Sequence, residues 1–375
     1  MRIAIDVTAI PRLRVGAGTY MAELVRALLR TGREHEFLVL ARPGAFPDLC
    51  GLPNATVLGV RVGPPPARLA WEQTALPLLL RRYGAHVLHS PHHTTPVAVP
   101  GVRRVVTFHD VTFLILPWRY PLARRWYMTA ASRLSARLAD RVIAVSETVA
   151  RDIRRYLPAA APKLHVVREG VSERFAPAAD AEVAACRARY GLTQPYLLHV
   201  GRLDPGKNLR VLLLVLAALR DAGLPHHLVL AGPPGWKNAG FYRLLSELEL
   251  GDRVKALGYV PDEAMPALYS GADLFVFPSL YEGFGLPPLE AMACGTPVVA
   301  SSRSAMPEVL GDAALLVEPQ DVGAVTAAVR RVLEDEALRA RLREAGLRRA
   351  AGYSWESAAR ATMEVYRRAV EGDAP

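Results

Sequence analysis

Glu282-Gly-Phe-Gly-Leu-Pro-Pro-Leu-Glu290, running on as Ala-Met-Ala-Cys-Gly-Thr-Pro-Val-Val-Ala-Ser301, decides how this chain is read. The apolar run Asp273-Leu-Phe-Val-Phe-Pro278 just before it has the look of a buried strand. Pro287 and Pro288 suit a helix start, where a missing N–H costs little, and Gly295 suits its end. The unit is therefore strand, glycine-bearing loop, helix. This spacing predicts Glu290 in the first helical turn, where the dipole favours a carboxylate. It also predicts that the amides of Gly283, Phe284, Gly285 and Leu286 face outward, as a site for a phosphate or a sugar hydroxyl. Carboxylates that accept from hydroxyls, beside amides that hold phosphate oxygens, suit a sugar nucleotide.

Working outward, short apolar runs alternate with helical patterns along the whole chain. Ile3–Val7, Glu36–Leu40, His86–His89, Arg104–Phe108, Arg141–Val145 and Lys163–Val167 read as strands, and Tyr20–Arg30 and Ala123–Leu138 as helices. A stretch rich in alanine and proline, Pro158 to Pro177, interrupts the pattern. After a helix near Glu182–Tyr190 it restarts with Tyr196–Val200, His227–Ala231, Arg253–Leu257, Leu274–Phe277, Pro297–Ala300 and Ala314–Val317. Such alternation marks parallel sheets covered by helices. The expected fold is α/β, with two doubly wound Rossmann-like domains, 1–175 and 176–353, facing across a cleft. Ligand is expected at the carboxyl ends of the strands.

The composition of the 375 residues, 51% hydrophobic and 22% charged, is that of a globular protein. The N-terminus turns polar too early for a secretory signal. The longest clean apolar run, Val211 to Leu219, falls short of the roughly 20 residues a membrane helix needs. A cytoplasmic location is expected, with peripheral contact at the inner face of the cell membrane left open. Cys50, Cys186 and Cys294 are scattered and odd in number, against a disulfide framework or a zinc site. A net charge of +10 calls for an anionic partner. Residues 117–155 hold nine arginines against three acidic residues, with Trp118, Tyr120, Trp126 and Tyr127 among them. Two readings stand: a patch that meets anionic lipid or a lipid-pyrophosphate acceptor, or a solvated helix face. No nucleic-acid-binding motif accompanies the charge.

Several loops carry residues suited to chemistry. In Gly201-Arg-Leu-Asp-Pro-Gly-Lys-Asn-Leu209, Arg202 and Lys207 flank a turn at a strand exit, so both cations can converge on one anion. A departing diphosphate needs this, because charge builds on its oxygens as the glycosidic bond breaks. Gly16-Ala-Gly-Thr-Tyr20 follows the first strand, but a dinucleotide fingerprint needs glycine where Met21 stands. Thr107-Phe-His-Asp-Val-Thr-Phe113 brings His109 to a strand's exit, where a neutral imidazole could hydrogen-bond a sugar hydroxyl. The pairs His92-His93 and His226-His227 have no matching ligand cluster and read as loop residues. No Asp-x-Asp occurs, so neither a catalytic metal nor any other cofactor is expected.

The segments 199–209 and 258–301 together resemble retaining nucleotide-sugar glycosyltransferases of family four, which have the two-domain GT-B fold. The resemblance covers nearly the whole chain, and Thr107–Phe113 looks most like bacterial mannosyltransferases of polysaccharide assembly. It implies an acceptor-binding first domain, a donor-binding second domain, and a last helix, about 354–370, packed back on the first. By the same resemblance Arg202 and Lys207 stabilise the leaving diphosphate. Glu290 holds the ribose, and Glu282 and His109 orient the sugar. Gly258, Tyr259 and Val260 lie beside the base, and Gly16 and Gly18 near the donor phosphate. The implied reaction moves a hexose, first of all mannose, from a nucleoside diphosphate sugar to a saccharide or lipid-linked acceptor hydroxyl with retention. UDP-hexose donors stay open. So do an epimerase or hydrolase on the same fold and a binding protein without turnover.

Overall fold

The computed structural model describes residues 1–10, 15–235 and 238–372. These divide into two compact units, one of Met1–Gly170 plus the segment from Trp355, the other of Val171–Ser354.

The first unit is built on β1 (Arg2–Asp6), β2 (Glu36–Ala41), β3 (Ala55–Gly59), β4 (Val87–Ser90), β5 (Arg103–Phe108), β6 (Arg141–Ala144) and β7 (Leu164–Val166). They form one sheet, all parallel, in the order β3-β2-β1-β4-β5-β6-β7. The helices between them are α1 (Ala17–Thr31), α2 (Pro65–Tyr83), α3 (Thr112–Ile115), α4 (Leu122–Leu138) and α5 (Glu147–Tyr156). Central strands are buried on both faces and so read as continuous apolar runs, such as Ile3-Ala-Ile5. β3 was not among the expected strands. It lies at the sheet's edge with most of its side chains exposed, and its apolar stretch is broken by Thr56 and Gly59.

The second unit holds β8 (Tyr196–Val200), β9 (His227–Ala231), β10 (Val254–Gly258), β11 (Leu274–Phe277), β12 (Val298–Ser301) and β13 (Leu315–Val317). They too are all parallel, in the order β10-β9-β8-β11-β12-β13. Its helices are α6 (Asp180–Tyr190), α7 (Leu209–Asp221), α8 (Ala239–Glu247), α9 (Met265–Ser270), α10 (Leu286–Ala293), α11 (Met306–Leu310), α12 (Val322–Glu334) and α13 (Glu336–Ala351). The apolar run of α7 is core: Leu212, Leu213, Val215, Leu216 and Leu219 pack with Leu228 and Leu230 of β9 and Val325 and Val329 of α12. That explains why so apolar a helix carries no membrane meaning. No described helix is long and apolar enough to cross a bilayer.

The chain then returns to the first unit as α14 (Trp355–Glu371), which packs along α1. Trp355 meets Tyr20 edge to face at 5.8 Å, and Glu356 pairs with Arg30 at 2.7 Å. The Tyr366 hydroxyl lies 2.6 Å from Nδ1 of His89 on β4. The last helix is thus part of the first unit's core, with Tyr366 and Ala359 fully buried.

Candidate functional site

Both sheets reverse their winding once: between β1 and β4 in the first unit, and between β8 and β11 in the second. Loops leaving adjacent strands diverge at such a point and open a crevice at the carboxyl ends, where ligands of doubly wound proteins bind.

In the second unit the loop after β8 brings Lys207, and the loop after β11 brings Glu282. Their side chains form an ion pair of 2.6 Å, the lysine 17% and the glutamate 16% exposed. Each partner is held from its own side. Asp204 accepts from the Gly206 amide at 2.8 Å and sets the short turn Pro205–Lys207. The Leu280 amide donates to the Gly206 carbonyl at 2.9 Å, which ties the two loops together. The Glu282 amide donates to Ser304 Oγ at 2.9 Å. Asn208 and Ser304, with φ of 56° and 55°, are two of three described non-glycine residues in the left-handed region. Such strain persists where surroundings over-determine it, and here it flanks the ion pair on both sides.

The Lys207 ammonium also lies over the Phe277 ring, 5.2 Å from its centroid, and His199 stacks on that ring at 5.5 Å. The His199 Nδ1–H donates to the Val276 carbonyl at 3.0 Å, which makes Nε2 the bare nitrogen. Nε2 is buried without a hydrogen-bond partner, as is Ser279 Oγ. Burial pushes the imidazole down to about 4, so it is neutral at ordinary pH. Nothing in the sequence singled out His199, Ser279 or Ser304. Each gains its meaning from a neighbour distant along the chain.

Arg202 is exposed at the start of the Lys207 turn. Phe284 is buried against Tyr353, and Leu286 opens α10. Gly285 caps that helix at φ 105°, backbone open to glycine alone at little cost. Gly232, at the β9 exit, has φ 145° and lies so close to Gly201 that a Cβ would strike its carbonyl. Gly258 ends β10, its carbonyl accepting from the Gly232 amide at 2.7 Å, with Tyr259 part-exposed and Val260 buried behind it. One expectation needs correction. Glu290 is the fifth residue of α10, past the first turn, so the helix dipole does not account for it. Its Oε2 instead accepts from the Tyr269 hydroxyl at 2.8 Å. Burial, then the Glu290 charge, raises Tyr269 well above its ordinary value and keeps it a donor. Cys294 is buried, and burial, with Glu290, pushes its thiol up to about 12, far from nucleophile chemistry.

In the first unit His109 follows β5. Its Nε2 lies 3.1 Å from the Pro91 carbonyl and therefore donates, while Nδ1 lies 3.6 Å from Glu169 and the ring edge meets Tyr20. Asp110 turns elsewhere, accepting from Thr112 N and Oγ1. Gly16 caps α1 at φ 54°, and Gly18 is buried in its first turn. The unexpected feature is a buried ionic network at the β1/β4 switch point. Asp6 ends β1 and meets His92 Nε2 at 3.3 Å, Arg68 at 3.5 Å and Thr8 Oγ1 at 2.6 Å. Arg68 also pairs with Glu72 at 3.0 Å, and Thr94 donates to Glu72 at 2.6 Å. His92 is therefore no mere loop residue, and His227 begins β9. Asp6, Glu72 and His92 place one ligand atom each within 4.8 Å of one another. The Arg68 guanidinium already lies against both carboxylates and supplies the positive charge a metal would bring. Burial raises the Asp6 carboxyl, but the His92 hydrogen bond and the Arg68 charge together hold it below its ordinary value.

Two doubly wound parallel units, with a cation and a carboxylate meeting at a switch point, are the build of GT-B glycosyltransferases. The profile described as "Glycosyltransferase Family 4" matches residues 15–175, and that described as "Glycosyl transferases group 1" matches residues 187–349. An O-antigen chain mannosyltransferase B of Escherichia coli is 35% identical over 304 residues, 80% of this chain and 77% of that protein. The sucrose-phosphate synthase of Thermosynechococcus elongatus superposes with a TM-score of 0.80 at 25% identity, over 99% of this chain and 100% of its own. Anabaena HepE, solved with UDP-glucose, superposes with a TM-score of 0.74 at 20% identity, over 99% and 98%. The chain belongs to glycosyltransferase family 4, and it is a hexosyltransferase by the company of its relatives.

Proposed function

We propose that this enzyme transfers mannose from a nucleoside diphosphate donor, GDP-mannose first, to a hydroxyl of a saccharide or lipid-linked acceptor, with retention and without a metal ion. The observation that carries the reading is the Lys207–Glu282 pair at the exits of β8 and β11. A diphosphate that gains a further negative charge as the glycosidic bond breaks needs a cation in place beforehand. Lys207 supplies it once the donor draws the ammonium from Glu282. Arg202, at the head of the same turn, adds a second charge. Glu282, released, accepts from sugar hydroxyls, and Glu290, oriented by Tyr269, accepts from the ribose. The mannosyltransferase relative supports the sugar, and the nucleotide sugar in HepE supports the donor class.

A thermal-shift panel of GDP-mannose, UDP-glucose, UDP-N-acetylglucosamine, GDP, UDP and NAD tests the donor. A ligand at a hundred times its Kd adds about 2.7 kcal/mol, so one nucleotide family should stand out. Proton NMR of the product with a mannoside acceptor then reads the anomeric configuration, with and without EDTA. Flat melting across all sugar nucleotides, an inverted product, or loss of activity in EDTA each removes a part of the proposal. Donor consumption without any acceptor returns the epimerase or hydrolase reading.

A further inference from the structure

We propose that the first unit docks on an anionic lipid bilayer through the face formed by Trp118, Leu122 and Trp126. The 22 residues from Pro117 to Leu138 contain five arginines and no aspartate or glutamate. Their apolar side chains are turned outward: Trp118 is 53%, Leu122 71% and Trp126 74% exposed. Leu122 and Trp126 are four apart on α4 and lie on one face. Arg133 and Arg137, both exposed, continue that face along the helix at about 100° per residue. The opposite face, Ser132, Ser135 and Ala136, is the buried one. The helix is thus inverted for a globular protein: small and polar inside, large and apolar outside.

Aromatic rings beside arginines suit the headgroup level of a membrane, where rings enter the boundary and guanidinium groups meet lipid phosphates. Charge decides the occupant. A second copy meeting this face across a two-fold axis would set its arginines against like charges. A neutral protein groove would leave them without counter-charge. An anionic bilayer satisfies rings and cations together, each arginine near the surface strengthening binding about fivefold. The structure also narrows the basic stretch. Within residues 117–155 the part up to Leu134 joins exposed large apolar side chains to arginines in the same turns, while Ile153 of α5 is buried.

The test is co-sedimentation with vesicles of phosphatidylcholine alone, or of equal parts phosphatidylcholine and phosphatidylglycerol, at low and high salt. The protein should pellet with the mixed vesicles only and be released by salt. Arg133→Ala should weaken partition about fivefold. The double variant Leu122→Ser/Trp126→Ser should stay in the supernatant while melting and shifting with nucleotide as the parent does. Should the double variant fold poorly, the exposed Arg133→Glu alone must still weaken pelleting. Equal pelleting with both vesicle types, no pelleting, or variants that bind like the parent would each overturn the proposal. A dimer in sedimentation velocity that Trp126→Ser dissolves would assign the face to a second copy instead. Lipid binding needs no donor, so this proposal and the transferase reading fail separately.

Discussion

The two units share one topology, yet their switch points are furnished in opposite ways. At β1/β4 the polar groups are turned on one another: Asp6 and Glu72, fully buried, share Arg68, and His92, Thr8 and Thr94 take up further lone pairs. At β8/β11 there is a single part-exposed ion pair, and His199 Nε2 and Ser279 Oγ of the same segments are buried without a hydrogen-bond partner. The first arrangement is a rivet, since removing one charge strands the others in low dielectric. The second is a latch, because a ligand anion can take the ammonium at little cost. Topology places a crevice in both units, and only side chains decide which one is kept ready to receive something.

The comparison breaks if the rivet can be removed freely. Arg68→Met should destabilise the protein by about 3–5 kcal/mol, read from the urea midpoint, because two buried carboxylates lose their counter-charge. Next is the latch itself. Lys207→Ala should lower kcat by about 10² to 10³ while shifting stability by less than about 1 kcal/mol. A variant that turns over like the parent would cancel the role given to this loop. Both central strands also carry a buried neutral histidine, His89 held at about 3 and His199 at about 4, in each case chiefly by burial. Folded values below the unfolded one mean that the unfolded chain takes up protons first. Stability is therefore full above pH 6.5 and falls as the pH drops from 6.5 toward 4, on the order of 2–3 kcal/mol per histidine. His199→Leu should flatten that slope, and an unchanged urea-midpoint profile would contradict its burial. The smallest effect expected is from Tyr269→Phe, which removes one hydrogen bond to Glu290. Donor KM should rise about threefold to tenfold with kcat nearly unchanged.

Much of this was legible because the signals were local. Apolar runs bounded by glycine and proline marked twelve of the thirteen strands, and an exposed edge hid β3. Pro287, Pro288 and Gly295 did bracket α10, within a residue or two. The misplaced step was counting Glu290 into its first turn, where Leu286 had to be the first helical residue. What stayed out of reach was pairing across distance. Lys207 and Glu282 are 75 residues apart, and no spacing rule joins them until adjacent strands do. Asp6, Arg68, Glu72 and His92 come from a strand end, a helix and a loop, and a dispersed quartet of common residues leaves no pattern.

The return of α14 gives the two units different histories on the ribosome. The second is contiguous, and every strand it needs has been made by Ser354. The first has all seven strands by Val166 but lacks its final helix until the 184 residues of the second unit, Val171 to Ser354, have been made. At roughly 5–20 residues per second, a nascent sheet waits on the order of 10–40 seconds with the seat of Tyr366 and Trp355 open to water. Chaperones have that interval in which to engage it, and the younger half of the protein is finished before the older one can close.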